Sequence, residues 1–223
     1  MLGGKYRVEH VKRALYFKPE EFRIGNSRYS LIFFTGVAFL YFLPGFFLLA
    51  LLLILPAAAL RLPVAPASPG WVTVDLIFIT LGVGLHEWFH VMAARRLLGA
   101  PSVEALFVVP NRAKLSVRLR PAPGTSPLAH MAVLLAGPLG AITTGFLFLP
   151  LLFLMNWPLP GVAGWALFMA PHVLSLRTAG RDTDGSAFLE ILKNSFQPAD
   201  FRRVKLQAAS LALGSIFRPN GRP

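Results

Sequence analysis

The chain has 223 residues, of which 55% are hydrophobic and only 14% charged, where soluble domains carry roughly 25% charge, and its mean hydropathy is +0.59. That balance excludes an ordinary soluble domain and predicts a polytopic membrane protein. The net charge of +12 falls in alternate loops rather than along one surface stripe, which argues against nucleic acid as a partner, and the absence of cysteine excludes disulfides and thiolate metal ligands.

Residues 1–29 mix bases, acids and aromatics, with Tyr16, Phe17 and Phe22 near Lys18 and Arg23, and predict a cytoplasmic segment lying along the membrane surface, with a disordered tail as the competing reading. No signal peptide is expected, because these residues are polar before any apolar run begins. Apolar runs at about 30–60, 72–94, 128–155 and 161–176 predict four crossings, since roughly 20 residues suffice to span the hydrocarbon. Pro44-Gly45 allows the first to tilt or kink, and Pro171 interrupts the fourth. Lys5, Arg7, Lys12 and Arg13 precede the first span, and Arg95, Arg96, Arg112 and Lys114 follow the second. By the positive-inside rule both termini of this multi-pass protein are cytoplasmic, the cell membrane being its expected location.

Between the second and third spans, Leu115, Val117 and Leu119 alternate with Lys114, Ser116, Arg118 and Arg120, after an apolar stretch from Val103 to Val109 and a Pro110-Asn111 turn signal. A β-hairpin over 103–120 is predicted, and its open edge suits an extended peptide, with a hairpin merely resting on the membrane surface as the alternative. In the third span, Ala136-Gly137-Pro138-Leu139-Gly140 permits close helix approach. Beyond the fourth come Arg181-Asp182-Thr183-Asp184-Gly185, a helical stretch through Leu192 and a basic tail expected to form a surface helix. The expected fold class is an all-α polytopic membrane protein of about four transmembrane helices with a small β-hairpin between the second and third. The expected core domain, 30–194, lies between the N-terminal segment 1–29 and a cytoplasmic tail 195–223.

Chemistry concentrates in His86-Glu87-Trp88-Phe89-His90, inside the second apolar run, where ionisable side chains are expensive. On a helix, residues four apart share a face, so His86 and His90 can hold one metal ion while Glu87 flanks it. Zinc with three protein ligands keeps a position for water and lowers its pKa toward roughly 7, leaving Glu87 as the candidate base. Two structural histidines satisfied by neighbouring helices are the bland alternative.

A third ligand must reach the same depth. The fourth run, like the second, is expected to run from outside to inside, so Asp184 at its inner end is geometrically eligible, and Gly185 allows a tight backbone beside it. His172 within that run is the serious rival and Asp182 a weaker one. His130 and His10 are expected at surface or interfacial positions, and Asp75, at the outer end of the second span, has no expected role.

These residues together resemble the site-2 protease family of intramembrane zinc metalloproteases. The resemblance covers about residues 72–194 and rests on His86-Glu87-Trp88-Phe89-His90 followed by Ala93-Ala94-Arg95-Arg96, on Ala136-Gly137-Pro138, and on Asp184-Gly185. It implies one zinc ion on His86, His90 and Asp184, with Glu87 as base, in an enzyme hydrolysing peptide bonds in or near transmembrane segments of a membrane-protein substrate, held by strand addition to the 103–120 hairpin. Where many members carry Asn-Pro or Leu before the Asp-Gly, this chain carries Arg181-Asp182-Thr183. The loops leave no room for an inserted peptide-binding module, so the resemblance is to a minimal member. A zinc-binding membrane protein without hydrolytic activity, structural, sensing or metal-handling, is the alternative function.

Overall fold

The computed structural model describes residues 20–23, 31–32, 34–40, 43, 69–99, 103–109, 114–119, 123–154, 159–179 and 183–217. Its centre is a pair of long helices, α1 (Pro69–Leu97) and α2 (Pro127–Leu154). Each opens on proline, whose fixed φ and missing N–H suit a first helical position. α1 stops where Gly99 adopts φ 91, a left-handed conformation that glycine takes without strain, and the Leu98 amide closes on the Ala94 carbonyl at 2.8 Å.

The small residues of α2 set how closely the pair packs. A Cβ on Gly137 would strike the His90 imidazole, and one on Gly140 the Phe89 ring. The hydroxyls of Thr143 and Thr144 donate back to the Leu139 and Gly140 carbonyls at 2.8 and 2.9 Å, so these polar groups are satisfied inside an apolar helix.

Three shorter helices from the C-terminal half, and helical residues 34–40 before α1, pack around this pair. α3 (Leu159–Ser175) lies against both long helices, with Trp165 donating its indole N–H to the Gly145 carbonyl at 2.8 Å. α4 (Asp184–Ser195) is amphipathic and buries Phe188 and Leu192 with Met131 of α2. After a 3-10 turn at Pro198–Asp200, α5 (Phe201–Phe217) presents Val204, Ala208, Ala212 and Ile216, at four-residue spacing, to the interior. Arg96, in the last turn of α1, donates to the carbonyls of Ser215 and Ile216, a cation placed on the negative end of a helix. The core gathers Phe34, Leu85, Phe89, Val133, Phe168 and Ile216 around the α1–α2 contact.

A three-stranded antiparallel sheet of order β1-β2-β3 is formed by β1 (Glu20–Arg23), β2 (Val103–Val109) and β3 (Lys114–Leu119). Leu106 pairs with Phe22 on one side and Val117 on the other, and β3 is the strand that most contacts α1.

The expected fold class, an all-α protein with four spans and a small hairpin, requires correction. Among the described residues, two helices are long and apolar enough to cross a membrane, Leu76–Leu97 and Pro127–Pro150. The predicted first span lies largely outside the described residues. The predicted fourth is the 17-residue α3, and at 1.5 Å per residue it rises about 26 Å, short of the roughly 30 Å hydrocarbon thickness. The isolated hairpin expected between the second and third spans is replaced by a three-stranded sheet. A two-stranded ribbon is marginal alone, and β1, drawn from the segment expected to lie on the membrane surface, pairs with the second edge of β2. The C-terminal helix α5 has its inner face buried against α2 and α1.

Close approach at Gly140 makes a quantitative expectation. Gly140→Ala pushes on the Phe89 ring and lowers stability by about 1–3 kcal/mol, whereas Gly214→Ala in α5, with nothing within 4 Å of the added methyl, leaves stability unchanged or slightly raised. Thermal unfolding of the two variants in detergent checks the contrast.

Candidate metal centre

His86, Glu87 and His90 lie on consecutive turns of α1 in its buried half, 9%, 4% and 6% exposed respectively. The four-residue spacing aims both imidazoles at one point, with the Nε2 atoms 3.0 Å apart. His90 is fixed first. Its Nδ1 lies 2.7 Å from the Val133 carbonyl of α2, and a carbonyl can only accept, so Nδ1 carries a proton and, in the neutral ring, Nε2 presents a lone pair. Gly137 makes this possible, because a helical side chain covers the turn before it and would otherwise screen the carbonyl four residues back.

The third group arrives on α4. Thr183 caps that helix in a capping box, its Oγ1 accepting from the Ser186 amide at 3.1 Å and donating to the Arg177 carbonyl at 2.7 Å, while the Ser186 hydroxyl accepts from the Thr183 amide at 3.1 Å. Asp184 is therefore the first helical residue, where the positive end of the helix favours a carboxylate. Gly185 lets this turn pack on the end of α3, since a Cβ there would collide with the main chain at Leu176 and Arg177. So placed, Asp184 sets Oδ2 3.1 Å from His86 Nε2 and Oδ1 3.6 Å from His90 Nε2.

His86, His90 and Asp184 each offer one ligand atom, and these atoms lie within 4.8 Å of one another. Between the Nε2 lone pair of His90, the Nε2 of His86 and a carboxylate, a proton or a cation is required to offset the repulsion. A tetrahedral divalent ion with nitrogen and oxygen ligands at about 2.0–2.1 Å separates its donors by about 3.3 Å; the two imidazole nitrogens stand 3.0 Å apart, and Asp184 reaches His86 through Oδ2 at 3.1 Å and His90 through Oδ1 at 3.6 Å. The residues fit a metal ion.

Glu87 does not enter the donor set. Its Oε2 accepts a hydrogen bond of 2.8 Å from the Val117 amide of β3. Because Val117 spends its amide on Glu87, that N–H points away from β2, and the outer edge of β3 faces the centre.

The rival ligand His172 is fully buried but stands behind His86, with the two Nδ1 atoms 3.1 Å apart. It touches a ligand without joining the donor set. Asp182 and His10 lie outside the described residues, His130 is half-buried at the start of α2, and Asp75 sits about three turns before His86 on α1. Residue types alone gave no sign of the Val133 carbonyl or the Val117 amide, because both contributions come from the main chain. The run of small residues around Gly137 was the available clue to the first.

Purified protein is expected to hold one metal equivalent, lost on replacing His86, His90 or Asp184 singly by Ala and retained in His130→Ala. Elemental analysis of the detergent-solubilised proteins measures this directly. Comparison of the chain with protein-family models, with curated proteins and with solved structures returned no match.

Proposed function

We propose that the chain is a membrane-embedded zinc metallopeptidase similar to the site-2 proteases, acting on a transmembrane segment of another protein near its cytoplasmic end. The observation that carries this is the convergence of Asp184 with His86 and His90, the Glu87 carboxylate beside them, where the two histidines and Glu87 lie on a helix apolar enough to cross a membrane. A ligand set of two imidazoles and one carboxylate, without thiolate, suits zinc in a hydrolytic centre. Zinc held there supplies Lewis acidity toward a peptide carbonyl and toward water.

The chain's own groups do the rest. Glu87 accepts a proton as water attacks the peptide carbon, and delivers it to the amine nitrogen as the carbon–nitrogen bond breaks. An extended substrate strand pairs along the outer edge of β3, main chain to main chain, which presents its carbonyls to the centre. Helices in a bilayer have satisfied backbones, so the substrate unwinds locally before it is cut, and helix-breaking residues in it favour cleavage. Arg95 and Arg96 at the end of α1 orient that end toward the cytoplasm.

The competing function, metal holding without hydrolysis, differs in one measurement. Glu87→Gln is expected to retain its zinc while cleavage of a co-expressed single-span protein falls by about two to four orders of magnitude. Equal cleavage by wild type and Glu87→Gln would sink the peptidase mechanism.

A further inference from the structure

His172 is among the largest fully buried side chains in the described structure, and the peptidase chemistry makes no use of it. Its ring lies nearly parallel to that of His86, with centroids 5.2 Å apart and planes 24° apart, and meets Phe168, one turn earlier on α3, edge-on at 5.4 Å. On its far side a Cβ added to Gly82, one turn before His86 on α1, would stand 3.0 Å from His172 Nε2 and from Phe168. The imidazole is thus held between α1, His86 and Phe168. It has one polar contact, Nδ1 to the Nδ1 of His86 at 3.1 Å, and Nε2 has no hydrogen-bond partner.

We infer that His172 is a positioning residue for the metal centre, accepting the Nδ1 proton of His86 and so holding His86 in the tautomer whose Nε2 carries a lone pair toward His90 and Asp184. The inference rests on the metal-centre reading and not on peptide hydrolysis. Proton counting supports it. A ligating Nε2 leaves the His86 proton on Nδ1, where His172 Nδ1 is the hydrogen-bond partner the structure provides. Accepting it obliges a neutral His172 to carry its own proton on Nε2, the atom wedged beside Gly82. The two ligating imidazoles are then fixed by different means, His90 by a main-chain carbonyl and His86 by a second imidazole. Outer partners of this kind orient a ligand and raise its basicity.

Ligation by His172 itself does not fit, because its Nδ1 faces the side of His86 opposite the donor cluster and its Nε2 faces α1. Apolar packing alone does not account for it either, since a phenyl ring would fill the same slot without a stranded nitrogen.

The test measures zinc affinity by competition with a chromophoric chelator. Wild type must bind one zinc and His86→Ala must lose it; failure of that control rejects the metal centre itself, separately from the role of His172. His172→Phe keeps the ring but offers no acceptor, and its zinc affinity is expected to fall about 10- to 100-fold. His172→Asn places a carbonyl oxygen where Nδ1 stood and removes the stranded Nε2, and is expected to bind within a few-fold of wild type. Wild-type affinity in His172→Phe, or equal losses in the Phe and Asn variants, overturns the inference. A measurement on zinc-loaded wild type needs no variant to fold: nitrogen-15 spectra are expected to show His86 protonated at Nδ1 and His172 at Nε2. The opposite tautomer at either ring rejects the assignment.

Discussion

A neutral imidazole that gives one nitrogen's lone pair to a cation must place the proton of its other nitrogen, and inside an apolar helix pair there are few acceptors. His90 solves this on the main chain of α2, at the Val133 carbonyl. That hydrogen bond exists only because α2 can come close, and α2 comes close because Gly137 and Gly140 carry nothing that would meet His90 and Phe89. The same helix supports α4 through Met131, Phe188 and Leu192, and α5 through a face of small residues. The elements that carry the three candidate ligands are therefore all referenced to α2. Moving that helix outward by the width of a methyl group would separate His90 from its acceptor and shift Asp184 at the same time.

The centre satisfies its polar groups mostly from within. His90 turns to a carbonyl, His86 to His172 and Asp184, and Glu87 to a strand amide, so a cluster that would be costly singly in an apolar interior is mutually compensated. Its exposure is uneven. The Asp184 side chain is 22% exposed, against 7% for His90, so the cluster opens on the α4 side and is closed where α1 meets α2.

Local regularities in the sequence carried the most information. The spacing of His86, Glu87 and His90 is converted to geometry by the helix alone, and Asp184 is selected by the depth at which the run before it ends, with Gly185 allowing a tight backbone there. Depth along the membrane favours Asp184 but leaves His172 as a rival, and the side of His86 that each faces separates them. β1 was missed because Glu20–Arg23 is too short to show alternation and forms by pairing with residues more than 80 positions away. The spans were overcounted because hydropathy reports an apolar run, while α3, at 17 residues, is apolar through packing against other helices as well as through any contact with lipid. The docking of α5 was hidden for a related reason: alanines at four-residue spacing fill a close contact without raising hydropathy much.

The amide of Val117 has one hydrogen, and Glu87 holds it. A donor with a single proton cannot fully serve two acceptors, so an extended chain that pairs with β3 at this position and the carboxylate of α1 are rivals for the same bond. A strand seated on that edge would free a carboxylate oxygen that is otherwise tethered to the Val117 amide. Occupancy of that strand edge and the freedom of the acid beside the candidate metal ligands would then be two readings of a single hydrogen bond.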